Sequence, residues 1–184
     1  MKLYFMRHGQ TNYNRLGLCN NDPAKDVHLT PDGITQAEIA AQQLRRVPLE
    51  FIIVSELPRT RETAEIINRY HHVPIQTEPA INDIRSGFDS LPVTNYFQAI
   101  KADPLHITPP GGESLLTHKK RIFQFLDYLI LGQNKHVLVI AHEETLRTVS
   151  CYFHNLTDEQ MLTLHFQNCA ILEFSPQSPG TEYH

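Results

Sequence analysis

The chain has 184 residues, of which 41% are hydrophobic and 20% are charged, and its formal net charge is −4 with neutral histidines. These values are typical of a globular protein with one sizeable core. The chain has no block of Lys and Arg residues and no apolar run of transmembrane length. We therefore expect neither a nucleic-acid surface nor a membrane partner.

The first half of the chain predicts strands that alternate with helices, because short apolar runs are separated by amphipathic segments. A polar loop is expected between the first strand and about Leu29. Thr30 is a suitable N-cap for the helix that follows, and Pro31 suits its first position. The predicted elements are strands at residues 2–6, 51–54 and 74–77 and helices from Pro31 to about Pro48 and from Pro58 to about Tyr70. The first of these helices has an apolar stripe of Ile34, Ala37, Ala41 and Leu44.

The second half continues this alternation after an irregular, proline-containing segment at residues 78–112. A short helix is predicted near residues 93–101, and a long helix is predicted from Glu113 to Leu131. Its expected apolar side consists of Leu115, Leu116, Phe123, Leu126 and Ile130. The remaining predictions are strands at residues 136–141, 161–166 and 170–174, a helix from His142 to about Phe153, and a flexible tail at 175–184. Together the elements predict an α/β fold, a three-layer α/β/α sandwich with a largely parallel central sheet.

The cysteines indicate a reducing compartment. The chain has an odd number of cysteines, which are Cys19, Cys151 and Cys169, and no two of them have Cys-x-x-Cys spacing. We therefore expect free thiols in a cytoplasmic protein, without a disulfide framework or a zinc site. Because the chain starts directly with a predicted strand, we also expect no signal peptide.

Polar residues follow three of the predicted strands at the points where those strands end. Arg7 and His8 follow the first strand, Ser55 and then Arg59 follow the second, and His142 follows the last clear strand. Ligand sites in open α/β sheets lie beyond the carboxyl ends of the strands. If these strands are neighbours, the arginines and histidines form an electropositive pocket that suits a phosphoryl group.

Five sequence blocks carry a resemblance to a known family. In chain order they are residues 7–14, 29–37, 55–64, 110–114 and 137–147. In these blocks the chain resembles the histidine phosphatase superfamily, also called phosphoglycerate mutase-like. The resemblance covers about residues 2–150. It implies a single domain over residues 1–174 with a small cap segment at about residues 84–110.

The resemblance also implies a role for each polar residue of the pocket. His8 would be the nucleophile that attacks phosphorus in line and becomes a phosphohistidine. Arg7, Arg59 and His142 would bind the phosphoryl oxygens, and Asn14 would add a neutral hydrogen bond. His8 must present one neutral ring nitrogen, so we expect its other nitrogen to donate to a backbone carbonyl.

The leaving oxygen needs a proton, and the resemblance implies an acid on the loop after the third strand. Family members usually have a glutamate there, and residues 81–88 match the family spacing with Asp83 at that position. We expect Asp83 to act first as general acid and then as general base for the water that hydrolyses phosphohistidine. Its side chain is one methylene shorter than glutamate, which moves the proton donor by about an ångström.

The block after the strand at 136–141 departs from the family pattern. The family usually has His-Gly-Gly or a similar triplet where this chain has His142-Glu143-Glu144. The two carboxylates could repel the substrate, or they could keep His142 protonated and so strengthen its contact with phosphate. The sequence leaves both effects open.

Three functions are compatible with these residues. The first is a phosphomonoester hydrolase that needs no metal and no cofactor. The second is a phosphoglycerate mutase, which we disfavour because about thirty residues between Asp83 and Gly111 leave little room for an insertion that excludes water. The third is a weakly catalytic module that binds phosphate or a phosphoprotein, which Glu143, Glu144 and the short acid suggest.

The pocket walls are expected to come from Tyr13, Leu16 and the stretch at residues 88–106, including Tyr96 and Phe97. These residues hold no second basic cluster, which favours a small monophosphate with an uncharged or apolar remainder. The expected partner is a small phosphomonoester, bound by a monomer or a homodimer. The other nine histidines are expected to be core or surface residues. Five arginines are expected on solvated helix faces: Arg45, Arg46, Arg61, Arg69 and Arg121.

Overall fold

The computed structural model describes residues 1–131 and 135–176, so most of the predicted tail, residues 177–184, lies outside the described residues. The strands are β1 (Leu3–Arg7), β2 (Phe51–Val54), β3 (Ile75–Thr77), β4 (Val137–Ala141) and β5 (Ile171–Phe174). The helices are α1 (Asn12–Leu16), α2 (Pro31–Leu44), α3 (Pro58–Asn68), α4 (Val93–Ile100), α5 (Leu115–Leu131), α6 (Glu143–His154) and α7 (Asp158–Leu162). None of these helices is long and apolar enough to span a bilayer.

The strands form one sheet in the order β3-β2-β4-β1-β5. The pairs β2–β3, β2–β4 and β1–β4 are parallel, and β5 runs antiparallel to β1 at one edge. This arrangement confirms the predicted α/β fold with a largely parallel sheet. It also places β2, β4 and β1 side by side, so the residues that follow these three strands meet at one edge of the sheet.

Helices cover both faces of the sheet, as the continuous apolar strands require. Tyr4 and Met6 point to a core shared with α2 and α3, whereas Leu3 and Phe5 point to a core shared with α5 and α6. A third, smaller cluster packs α4 and the start of α5 against α6 and α7. Most β1 and β4 side chains are fully buried, which fixes the register of the strands that lead into the site.

Helix α2 confirms the predicted cap, because the Thr30 hydroxyl accepts a hydrogen bond from the Gly33 N–H at 3.0 Å. The same helix start lies against the loop after β1. A Cβ atom on Gly9 would lie 2.6 Å from the Gly33 carbonyl oxygen. A side chain at either glycine would therefore push the loop that follows His8 away from the sheet edge.

Two predictions of local structure are wrong, and capping explains both. Residues 161–166, predicted as a strand, instead begin inside α7, because the side chains of Thr157 and Gln160 form a capping box. The loop predicted before Leu29 contains α1, which begins with a capping box of Thr11 and Asn14. Reciprocal bonds of this kind satisfy free N–H groups and so favour a helical turn over an extended chain.

The predicted apolar stripes are correct except at their edges. Ile34 of α2 and Leu116 of α5 are 41% and 40% exposed, although we predicted both on the buried faces. Each lies within the first four residues of its helix. The long helix also begins at Leu115 rather than Glu113, because the Ser114 hydroxyl caps it by accepting the Thr117 N–H at 3.1 Å.

Candidate functional site

The structure brings His8 and His142 together at the ends of the adjacent strands β1 and β4. Arg7 pairs with Ala141 in the sheet, and the His8 N–H donates to the Ala141 carbonyl at 3.1 Å. The two imidazole rings are 5.3 Å apart between centroids, and both side chains are almost fully buried. Parallel strand pairing therefore sets the spacing of the two histidines.

His8 is held as a neutral imidazole with a defined tautomer. Its Nδ1 lies 2.7 Å from the Gly9 carbonyl oxygen, to which it can only donate, as we predicted. The Arg59 Nε–H donates to His8 Nε2 at 3.2 Å, so this nitrogen carries the lone pair. Burial, and then the charges of Arg59, His142 and Arg7, hold the His8 pKa well below its usual value. The site thus presents an unprotonated Nε2 at neutral pH.

Arg59, near the start of α3, contacts three groups of the site besides His8. Its Nη1 donates to the Asn20 side-chain oxygen at 2.8 Å, and Nη2 donates to the Asn20 carbonyl at 3.2 Å and to Asp83 Oδ2 at 3.0 Å. The residue is 4% exposed. Burial lowers its pKa, and the charge of Asp83 opposes that shift. The planar guanidinium therefore has a fixed orientation before any ligand arrives.

His142 lies behind His8 and Asp83 rather than on the cavity wall. Its Nε2 is 3.0 Å from the Ser55 hydroxyl, and its buried Nδ1 is 3.6 Å from Asp83 Oδ2 without a hydrogen-bond partner among the described residues. Burial, and then the Arg59 charge, hold the His142 pKa well below its usual value. The idea that Glu143 and Glu144 keep this ring protonated is therefore wrong.

Arg7 and Asn14 are placed beside the same cavity, as predicted. The Arg7 Nη1 donates to Glu143 Oε2 at 2.7 Å and to the Phe166 carbonyl at 2.5 Å. Asn14 Oδ1 accepts the Thr11 N–H at 3.0 Å and Asn168 Nδ2 at 3.4 Å, whereas its Nδ2 has no hydrogen-bond partner among the described residues. Glu143 thus neutralises one of the two arginines of the site.

Asp83 lies on the loop between β3 and α4, and a network under this loop holds its backbone. The Asp83 carbonyl accepts from Asn21 Nδ2 and from Arg121 Nη2, both at 3.1 Å. Arg121 in turn donates to both oxygens of the buried Glu113, at 2.7 and 3.2 Å. His118 is fully buried beside this pair. The prediction that Arg121 lies on a solvated helix face is therefore wrong.

The sequence did not indicate Asn20, Glu113 and Arg121 as parts of the site. Glu113 and Arg121 are eight residues apart, beyond the i,i+3 and i,i+4 spacings at which helical side chains pair, so their ion pair gives no local signal. Asn20 gives no local signal either, since its partner Arg59 lies 39 positions further along the chain.

A cavity of about 430 Å³ lies beside the site. Its lining includes the polar residues Arg7, His8, Asn14, Arg59 and Asp83. The same cavity is lined by Tyr13, Val93, Tyr96, Phe97 and Glu144. Leu16, which we predicted on the wall, is 68% exposed and does not line the cavity.

Glu144 is the second residue of α6, and its Oε1 accepts from Arg147 Nη1 at 3.3 Å. Burial raises the pKa of Glu144 to about 7, and the charge of Asp83 adds to this shift. The carboxyl therefore titrates close to neutrality.

Within residues 1–131 and 135–176, no group of three or more His, Cys, Asp and Glu side chains is placed to hold a metal ion. The three cysteines are free thiols, which confirms that part of the prediction. Cys19 lines the cavity, and burial raises the pKa of its thiol, so it is protonated at neutral pH.

Comparison with known proteins gives consistent matches over nearly the whole chain. The profile of the histidine phosphatase superfamily (branch 1) matches residues 3–184. Adenosylcobalamin/alpha-ribazole phosphatase of Escherichia coli (strain K12) is 28% identical over 156 residues, which cover 79% of this chain and 75% of the relative. The 2,3-bisphosphoglycerate-dependent phosphoglycerate mutase 2 of Gloeobacter violaceus is 27% identical over 199 residues, 97% of this chain and 87% of the relative. The crystal structure of the alpha-ribazole phosphatase from Shigella flexneri superposes with a TM-score of 0.87 at 23% identity, over 96% of this chain and 91% of that one.

Proposed function

The chain belongs to branch 1 of the histidine phosphatase superfamily, and from this premise we propose that it is a metal-independent phosphomonoesterase that works through a phosphohistidine at His8. The observation that carries the proposal is the state of the His8 ring. Its Nδ1 is bound to the Gly9 carbonyl, and its Nε2 carries a lone pair that now accepts from the Arg59 Nε–H beside a cavity with two arginines. A nucleophile of this kind needs no further activation at neutral pH.

In the first step His8 Nε2 attacks phosphorus, and the bond between phosphorus and the ester oxygen breaks. Arg7 and Arg59 bind the non-bridging oxygens and stabilise the charge that spreads over them. Asn14 donates to the same oxygens through its Nδ2. His142 lies behind Asp83, with its Nδ1 3.6 Å from Asp83 Oδ2, and it would reach these oxygens only when Asp83 moves toward the leaving group and Nδ1 carries the ring proton.

When the substrate displaces Asp83 from Arg59, Asp83 takes up a proton from the phosphate monoanion or from water, and it gives this proton to the leaving alcohol oxygen in the first step. In the second step it takes a proton from water, which attacks phosphorus and breaks the P–N bond, so that inorganic phosphate leaves and His8 is restored. The support for this role is the position of Asp83 Oδ2, which is 3.0 Å from Arg59 Nη2 at the cavity wall. When the phosphoryl group takes over the Arg59 donors, Asp83 is freed for proton transfer.

The substrate we propose is a small phosphorylated metabolite with a single phosphate. Arg7 and Arg59 both lie at the phosphoryl end, and no other arginine or lysine of the described chain lines the cavity. A second phosphate would therefore lack a basic partner, which weighs against a bisphosphate-dependent mutase. We propose that residues 84–110 act as the cap, since Ile84, Val93, Tyr96 and Phe97 form much of the far wall.

The test is turnover of a panel of phosphomonoesters in the presence of a metal chelator. The wild-type protein should release phosphate, and His8→Ala should lose the activity by about 10⁴-fold or more. His154→Ala, which removes an exposed histidine at the far end of α6, is the matched control and should keep the activity.

Two results would contradict the proposal. Turnover that the chelator removes would mean that a metal performs the chemistry. Tight binding of phosphate without turnover of any ester would instead favour a phosphate-binding module.

A further inference from the structure

Glu144 is a charged residue of the cavity that the proposed chemistry does not use. Arg7 and Arg59 are already paired with Glu143 and Asp83. Glu144 lines the same cavity, and the charge of Asp83 acts on its carboxyl. The alcohol part of a phosphomonoester would lie on this side of the phosphoryl group, because Asp83 is the proposed proton donor to the leaving oxygen.

The Glu144 carboxylate has one oxygen available to a ligand. Oε1 is bound to Arg147, whereas Oε2 has no hydrogen-bond partner among the described residues. The side chain is 19% exposed, and the cavity is where that exposure lies. Arg147 also donates to Glu143 at 2.9 Å and contacts His165 at 3.0 Å. The positive charge of Arg147 is therefore shared between Glu143 and Glu144 and neutralises Glu144 only in part.

A bound phosphomonoester changes the charge balance around Glu144. The phosphoryl group adds negative charge to a cavity that already contains Asp83, Glu143 and Glu144. A carboxylate or a second phosphate on the alcohol would add repulsion near Glu144. A cation on the alcohol would instead be attracted to Glu144. In a cavity shielded from water, the difference in electrostatic energy between a cationic and an anionic alcohol is larger than in bulk solvent.

Aromatic rings beside Glu144 suit the same kind of group. Tyr13, Tyr96 and Phe97 line the same cavity as Glu144, and the rings of Tyr96 and Phe97 lie 5.5 Å apart between centroids. Burial, followed by the charge of Glu144, raises the pKa of Tyr96. A cavity that combines a carboxylate with aromatic rings can bind an organic ammonium group through ion pairing and cation–π contact.

We propose that Glu144 selects phosphomonoesters of amino alcohols, whose ammonium group its carboxylate binds together with the aromatic rings of Tyr96 and Phe97. This inference rests on the proposed phosphatase function and names its substrate class. It differs from the expectation of an uncharged remainder, because the sequence did not show that Glu144 and the aromatic residues line one cavity.

The selection depends on pH in a defined direction. Glu144 is ionised only above about pH 7, because burial raises its pKa. The titratable and charged groups that face it are Arg7 from β1, Asp83 from the loop before α4, Tyr96 from α4, Cys19, and Glu143 and Arg147 from α6. Since an ammonium group binds the ionised carboxylate, preference for an amino alcohol ester should rise between pH 6 and pH 8.

The experiment compares three esters of similar size: O-phosphoethanolamine with an ammonium, propyl phosphate with a methyl group, and phosphoglycolate with a carboxylate. At pH 8 we expect kcat/KM to fall in that order, with about a tenfold step between the first two. Glu144→Gln should remove most of that tenfold ratio and its dependence on pH. Glu144→Asp, which keeps the charge, should restore part of the ratio, and this rescue would not follow from a merely structural role.

Glu65→Gln, which removes the same charge from an exposed position on α3, should keep the wild-type ratio. If propyl phosphate is hydrolysed as well as phosphoethanolamine, or if Glu144→Gln keeps the ratio, the amino alcohol proposal is wrong while the phosphatase proposal stands. If none of the three esters, nor any other phosphomonoester, is hydrolysed, both proposals fail.

Discussion

The strand-end part of the site and the wall of the cavity are built in different ways. His8 and His142 follow paired strands of a buried sheet, and each is at most 3% exposed. The far wall comes from α4 and its flanking loops, where Phe97 is 52% exposed. The sheet can therefore fix the reacting groups to within a fraction of an ångström, whereas the wall can change with little effect on the fold. We therefore expect the strand-end part to carry the chemistry that the family shares. We expect the wall to carry the substrate preference of this chain.

The largest effect on activity should come from Asp83, the proposed general acid, which lies between the strand-end part and the wall. Asp83→Asn removes the proton donor, so we expect kcat for an alkyl phosphate to fall by about 10²–10⁴-fold. The loss should be much smaller for 4-nitrophenyl phosphate, because that leaving group departs without a proton. Steady-state kinetics on the two esters measure the difference, and Asp127→Asn, an exposed change on α5, is the control. An equal loss on both esters would contradict the role of Asp83 as general acid.

A smaller effect is expected from the ion network that joins α5 to the Asp83 loop. Burial raises the pKa of Glu113, but its contacts with His118, Arg121 and the Arg85 N–H outweigh burial and hold the pKa well below its usual value. A lowered folded-state pKa stabilises the protein above the unfolded-state value of 4.5, and that stability is lost as the pH falls further. Glu113→Gln should therefore cost about 1–3 kcal/mol of unfolding free energy at pH 7.

Urea unfolding between pH 7 and pH 3 measures this contribution. The wild-type protein should lose stability below about pH 4.5, and Glu113→Gln should lose less over the same interval. Parallel curves for the two proteins would show that the Glu113–Arg121 pair does not stabilise the folded state through its charge.

The smallest effect should come from the wall itself. Phe97→Ala removes an aromatic face from the cavity, and loss of such a contact is worth about 0.5–1.5 kcal/mol. We expect kcat/KM to fall about two- to tenfold for esters that reach this wall and to stay unchanged for methyl phosphate, which is too short. Tyr128→Ala, which truncates an aromatic side chain that is 77% exposed, is the matched control. A loss on methyl phosphate as large as on the longer esters would show that Phe97 affects the phosphoryl end.

The strand-end part was predictable from the sequence because its signals are local. An apolar run comes directly before each of these polar positions: Arg7 with His8, Ser55, and His142. Parallel pairing of the strands that these runs form then brings the polar residues together. Helix caps such as Thr30 were predictable for the same reason, since the cap and its N–H partner are three residues apart.

The wall and the supporting network were not predictable in the same way. Contacts such as Arg59 with Asn20, or the Asp83 carbonyl with Arg121, join residues about 40 positions apart. These contacts depend on the conformation of loops, which the hydrophobic periodicity of the sequence does not predict. The effect of Glu143 and Glu144 also needed the fold. The start of α6 directs Glu143 to Arg7 and leaves Glu144 on the cavity wall, and neither direction follows from residue type.

The most direct measurement is to trap the covalent intermediate. Protein mixed with a rapidly hydrolysed phosphomonoester and quenched in base within milliseconds should carry one phosphoryl group, which mass spectrometry should map to the peptide that contains His8. The adduct should disappear after acid treatment, as a phosphoramidate does, and His8→Ala should carry none. Turnover in which the phosphoryl group maps to another residue, or in which no adduct forms at any quench time while phosphate is released, would contradict nucleophilic catalysis by His8.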